Sequence, residues 1–249
     1  MASPDFVDPY LDPELGLLRN LVGARTRDEL DAAEGSLAFA RLLEMLDHPV
    51  DATGDLAELR SIHRRLFQDV YDWAGDLRTV DIRKPGSEFF LPVPMIDRAA
   101  AFAAAELQAD DRLKHLSRDR FIDRLSYHYD QWNYLHPFRE GNGRTQRVFW
   151  SRIAHDAGWQ LDWLNVRGPV NDEACRAASE DRNLEPLRSM FTAIVTQSTP
   201  DGHADTAREA ERITGLAFPS EPTSLGAAPQ EVEPRAHEHT RSAKRGLEL

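Results

Sequence analysis

The stretch that decides the fold is His136-Pro137-Phe138-Arg139-Glu140-Gly141-Asn142-Gly143-Arg144-Thr145-Gln146-Arg147. Before it, the run 118–135 places Phe121, Leu125, His128, Trp132 and Leu135 on one helical face. That helix stops at His136, because a residue before proline is disfavoured in the helical region. After it, 142–157 predicts a second helix, with Val148, Phe149, Ile153 and Ala154 inward and Gly158 past its end. The first four N–H groups of that second helix have no partner within it. Such a helix start, with its positive dipole end and glycines that let a ligand approach, is an anion site. Arg144 and Arg147 are three apart, share a face and suit a polyphosphate. Glu140 sits at the loop mouth as a lone carboxylate, the kind that holds Mg²⁺ together with phosphate oxygens. His136 is close enough across the loop to take a proton from a hydroxyl at neutral pH. Plainer readings exist for each residue taken singly. The glycines could make a tight turn, the arginines a solvated face, and His136 and Glu140 could merely complement helix dipoles. Their joint occurrence at one helix junction points to phosphoryl or nucleotidyl transfer.

Working outward, Thr26 and Glu29 form a T-x-x-E capping box that opens a helix running to about Leu46. A second helix covers about 55–72, with Leu56, Leu59, Ile62, Leu66, Phe67 and Val70 at helical spacing. The period then changes. Arg78 to Arg83 alternates, 84–87 is turn material, and 88–91 extends again, which predicts a β-hairpin at about 79–91. An alanine-rich helix follows at about 95–109, and shorter ones at about 171–180 and 184–197 close the domain. From Asp201 to Leu249 the sole aromatic residue is Phe218, and prolines 219, 222, 229 and 234 interrupt the chain. A weak helix is expected near 204–216 and a flexible tail elsewhere, so the expected organisation is one domain at 1–200 and a tail at 201–249.

Composition narrows the function. The chain has 249 residues, 41% of them apolar, enough for one good-sized core. A formal charge of -12 argues against nonspecific nucleic-acid binding, which needs Lys and Arg to replace phosphate counterions. Cys175 is the single cysteine, so no internal disulfide forms, which fits a reducing compartment. No apolar run approaches the roughly 18 residues of a membrane span, and the N-terminus lacks signal-peptide character. The expected location is the cytoplasm. His63, His128, His136 and His155 show no zinc-ligand spacing.

The segment 136–147 meets every fixed position of the pattern H-P-F-x-[D/E]-G-N-G-R-x-x-R and thereby resembles the Fic family. The resemblance spans about residues 8–197. It includes Asp8-Pro9-Tyr10 and the lead-in Trp73-Ala74-Gly75-x-x-Arg78-Thr79-Val80, and it is nearest to the small Fic toxins of bacterial toxin–antitoxin modules. It implies a mainly α helical bundle with a β-hairpin flap and an AMP transfer from ATP to a protein hydroxyl. In that scheme His136 is the general base and Glu140 holds Mg²⁺. Gly141, Asn142 and Gly143 form the anion hole, while Arg144 and Arg147 contact the β- and γ-phosphates. The flap residues Thr79, Val80, Asp81, Ile82, Phe89 and Phe90 register an extended stretch of the target by main-chain pairing. Asn183-x-x-Pro186-Leu187 resembles the part near the adenine pocket. UMP, phosphate or phosphocholine transfer, or nucleotide-regulated binding without transfer, are the alternatives. Self-inhibited relatives carry [S/T]-x-x-x-E-[G/N]. Glu34 and Glu140 are the two glutamates followed by Gly or Asn, and neither has Ser or Thr four residues before it. The resemblance therefore implies a separate small antitoxin bearing an inhibitory Glu, and type II topoisomerase subunits as the target class.

Overall fold

The computed structural model describes residues 8–84, 87–198 and 206–214. Helix α1, Arg27–Asp47, opens on the expected capping box: the Thr26 hydroxyl accepts from the Glu29 N–H, and the Glu29 carboxylate accepts from the Thr26 N–H. Helix α2, Leu56–Phe67, opens on Asp55, whose carboxylate accepts from the Ala57 and Glu58 N–H groups. It ends sooner than its apolar spacing suggests, and turns carry the chain to Gly75. Helix α3 is Ile96–Ala109 and α4 is Arg118–Leu135; α5, Asn142–Asp156, follows the motif loop. Helices α6, Gly168–Asp181, and α7, Glu185–Ile194, each begin with a proline in the first turn, where a missing N–H costs nothing.

The core lies where α2, α4 and α5 meet, with Phe67, Phe121, Trp132, Phe138, Phe149 and Trp150 fully buried. The four fully buried aromatics of α4 and α5 flank the motif loop on both sides, so the loop is carried by the most rigid part of the molecule.

The bundle is mainly α, as expected, but its paired strands are not those of the flap. Strand β1, Trp159–Leu161, pairs antiparallel with β2, Val195–Gln197. Gly158, at φ +84°, reverses the chain after α5 and makes this pairing possible. Residues expected to end the last helix therefore form a strand. The flap retains alternation, with Val80 and Ile82 buried and Thr79, Asp81 and Arg83 exposed. Its arms meet at one bridge, Arg83 to Phe89, and a Phe90 N–H to Ile82 C=O bond of 3.1 Å. The Pro85-Gly86 tip lies outside the described residues.

The boundary expected at residue 200 is crossed. Helix α8, Thr206–Thr214, packs on α1 and α5 with Ala210 and Ile213 buried. Arg212 anchors it by donating to the Leu161 carbonyl at 3.1 Å. The rest of the expected tail, 201–205 and 215–249, lies outside the described residues. Among the described residues no helix is long and apolar enough to cross a membrane.

Candidate active site

His136 ends α4 in the left-handed region, φ 40° and ψ 60°. Pro137 disfavours continuation of the helix, and histidine is among the residues that enter this region more readily. The reversal buries the imidazole to 6% exposure. Its Nδ1 lies 3.3 Å from the Asn133 carbonyl, an acceptor, which assigns the proton to Nδ1 and leaves Nε2 as the basic nitrogen. Burial pushes the His136 pKa down to about 3, assisted by the nearby charge of Lys84, so the ring is neutral at pH 7. Phe90 of the flap stacks on it, with ring centroids 3.7 Å apart and planes 9° apart.

The loop after His136 is locked by its own residues. Phe138 is fully buried. Its N–H and C=O are both taken by the Asn142 side chain, at 2.9 and 2.8 Å. The carboxamide of Asn142 therefore shapes the loop, and only its N–H can belong to an anion hole. Gly141 sits at φ +77°, and a Cβ there would lie 2.5 Å from the Phe67 ring; conformation and space both demand glycine. Gly143 differs. It is exposed and a Cβ would meet nothing within 4 Å, so protein packing does not explain it, whereas close approach of a ligand would. The N–H groups of Asn142, Gly143 and Arg144 form the open first turn of α5.

Glu140 is half-buried, and one carboxylate oxygen accepts from the Gly141 N–H at 3.0 Å. Burial raises its pKa, and the neighbouring Glu34 charge raises it further. Among the described residues there is no cluster of three or more metal-ligating side chains. A lone, poorly solvated carboxylate beside a phosphate cradle fits an Mg²⁺ that arrives with a nucleotide, not a resident metal. Arg144 is half-buried and donates to Glu34. Its guanidinium carbon lies 4.8 Å from the Phe67 ring centroid. Arg147 is half-buried, and its guanidinium carbon lies 5.6 Å from the Trp163 ring centroid.

The six flap residues divide. Thr79, Phe89 and Phe90 reach the surface or the groove. Val80 and Ile82 face the core, and only their main chain could meet a target. Asp81 accepts from the Val93 N–H at 2.9 Å and belongs to the flap's own framework. Phe89 and Phe90 also line a narrow groove of about 40 Å³ between flap and α6, together with Lys84, Asn133, Asp172 and Cys175. Asn183 is engaged at the start of α7, where its side chain accepts from the Glu185 N–H at 3.1 Å.

Several residues carry more of the site than the sequence indicated. Arg78, fully buried, donates to the carbonyls of His136 and Val80 at 2.8 Å and to that of Leu91, tying both flap arms to the end of α4. His63, also fully buried, accepts at Nδ1 from the Gly75 N–H and donates from Nε2 to the Glu140 carbonyl, at 2.8 and 3.0 Å. Asp8 pairs with Arg139 inside the protein at 2.9 Å. The signals available were a histidine on the apolar face of α2 and charged residues inside motif segments; their partners lie up to 131 residues away.

The Fic/DOC family model matches residues 53–154. The chain is 34% identical over 203 residues to "Protein adenylyltransferase VbhT" of Bartonella schoenbuchensis, covering 81% of this chain and 42% of that protein. It thus spans less than half the length of that relative. It is 33% identical over 191 residues to "Probable protein adenylyltransferase Fic" of Escherichia coli K12, covering 77% of this chain and 94% of the relative. Among solved structures it is similar to the N-terminal Fic domain of a putative cell filamentation protein from Bartonella quintana with bound ADP. That match has a TM-score of 0.73 and 25% identity, over 76% of this chain and 95% of the other.

Proposed function

The chain belongs to the Fic/DOC family, and from that premise we propose that it is a protein adenylyltransferase, moving AMP from ATP to a hydroxyl side chain of another protein. The observation that carries this reading is a neutral His136 beside an open helix start that bears Arg144 and Glu140. The names of the relatives and the ADP bound by the similar domain support it.

In this reading the N–H groups of Asn142, Gly143 and Arg144 hold phosphate oxygens, and Arg144 and Arg147 neutralise the remaining phosphates. Glu140 would hold Mg²⁺, which supplies charge neutralisation of the departing pyrophosphate. The target hydroxyl oxygen attacks the α-phosphorus, and the bond from that phosphorus to the bridging oxygen of the β-phosphate breaks. The hydroxyl proton goes to Nε2 of His136, and pyrophosphate leaves. Because Phe90 covers His136, an incoming target segment has to displace that ring, which places the flap in contact with the target. A small partner protein that sets a Glu against the arginines, and type II topoisomerase subunits as targets, rest on the resemblance alone.

The chemistry is tested by incubating the chain with Mg²⁺, a cell lysate and ATP labelled at either its α- or its γ-phosphate. Protein-bound label is expected from the α-position alone. Label from the γ-position alone would make the reaction phosphoryl transfer. Nucleotide binding with no label from either would make the site regulatory.

A further inference from the structure

We propose that Glu34 is a positioning residue for Arg144, a carboxylate from the middle of α1 that holds the guanidinium ready for the phosphates of the nucleotide. The inference rests on reading the start of α5 as a nucleotide-phosphate cradle.

Glu34 is 6% exposed, and a buried carboxylate is tolerated only with partners. It has two. Arg144 donates to Oε1, and the Tyr71 hydroxyl donates to Oε2. Tyr71 is itself fixed, 2% exposed and stacked on Trp73 with ring centroids 4.3 Å apart. Neither contact belongs to the core of α1, and both reach across the bundle, Arg144 from 110 residues away.

On the other side Arg144 lies against Phe67, the ring that closes over Gly141. One aromatic ring therefore lies against both the glycine at the helix start and the guanidinium. Glu34 then fixes the rotation of the guanidinium by one nitrogen, Nη2. Among the described residues Glu34 is the sole hydrogen-bond partner of Arg144; it engages Nη2, which both two-donor edges of the guanidinium share, and takes one of its two protons, so one edge keeps two donors for an anion. An arginine carries about 2 kcal/mol of rotamer entropy, and holding it in place beforehand removes that cost from ligand binding. The opposite reading treats Glu34 as a brake that competes with phosphate for Arg144. The geometry disfavours it, because Glu34 takes one of the two Nη2 protons and is itself retained by Tyr71.

The test uses the full chain and four forms: unmodified, Glu34→Gln, Arg144→Ala and the double variant. Calorimetry measures binding of the non-hydrolysable analogue AMPPNP with Mg²⁺, and transfer assays give kcat and KM for ATP. Glu34→Gln should weaken AMPPNP binding and raise KM by about tenfold, with kcat changed by less than about threefold, the size expected for one lost charge-assisted contact. In the Arg144→Ala background the same change should have no further effect, since Glu34 acts through that arginine. If Glu34→Gln lowers the melting temperature so far that binding cannot be read, Tyr71→Phe removes only a hydroxyl and should weaken binding in the same direction by a smaller factor. Unchanged binding in Glu34→Gln overturns the proposal. So does tighter binding or faster transfer, which would make Glu34 a brake, and so does an undiminished effect in the double variant. An unmodified chain that binds no nucleotide overturns the reading of the site itself, and is distinguishable from the other outcomes for that reason.

Discussion

His136→Ala lowers AMP transfer by about 10²–10⁴-fold while nucleotide binding stays within a few-fold. In the proposed reaction the imidazole acts on the attacking hydroxyl and other groups hold the phosphates, so the loss should fall on kcat. Nearly normal transfer by the alanine form would remove His136 from the mechanism. The pH profile offers a second reading. Burial holds the ring far below its ordinary 6.5, at about 3, so the folded chain keeps its base unprotonated where a solvated histidine would be charged. Transfer should show no acid limb at 6.5 where the target segment that displaces Phe90 keeps the ring buried. The same shift has a cost in stability, and its sign is fixed. Between 6.5 and about 3 the unfolded chain binds protons that the folded chain does not, so folding weakens as pH falls through that window. His63, pushed to about 3 by complete burial, adds to the slope.

Asp8→Ala costs about 3–5 kcal/mol of folding stability, read from urea or thermal unfolding. The pair with Arg139 is almost wholly out of water, at 7% and 4% side-chain exposure, and removal of Asp8 leaves a buried guanidinium without its counter-charge. Replacing both residues with apolar ones should cost much less than Asp8→Ala alone, because the uncompensated charge is then gone. A loss below about 1 kcal/mol in the single variant would show that water reaches Arg139 and that the pair is an ordinary surface contact.

What could be read in advance follows the range of each interaction. The capping box at Thr26 and Glu29, the stop at His136-Pro137 and the start of α5 at Asn142 are local, set by residues within four positions of one another. They are found where the chain's own spacing puts them. The flap was legible as alternation, yet its strands join at a single bridge. Arg78 spends its guanidinium on three carbonyls and so replaces much of a backbone ladder. Strands β1 and β2 have three residues each, too few for any period to show. That the Asn142 side chain serves Phe138, while its main-chain N–H stays open, is a distinction that a motif does not carry. In the sequence Glu34 stands out only as a glutamate before glycine that lacks the Ser or Thr four residues earlier of an inhibitory motif. That α1 delivers it to Arg144 depends on how two helices cross, which no single sequence displays.

The tie between Asp8 and Arg139 also bears on the order of folding. Contacts of high sequence separation form slowly, because the entropy of closing the intervening chain is lost before the contact gives anything back. Here the residue that steadies the catalytic loop waits for a partner 131 positions away. Tyr10 fastens the same arm to the backbone of Leu77 and Thr79, at 3.5 and 3.0 Å. The helices on either side of the loop can condense on local contacts alone, whereas the loop is finished only when the first segment of the chain comes back to meet it. We therefore expect maturation in two stages. After dilution from denaturant, helical circular dichroism should recover first and nucleotide binding should follow with a measurable lag, and a common rate for the two signals would contradict that order. The start of this chain acts as the closing stitch of the active centre.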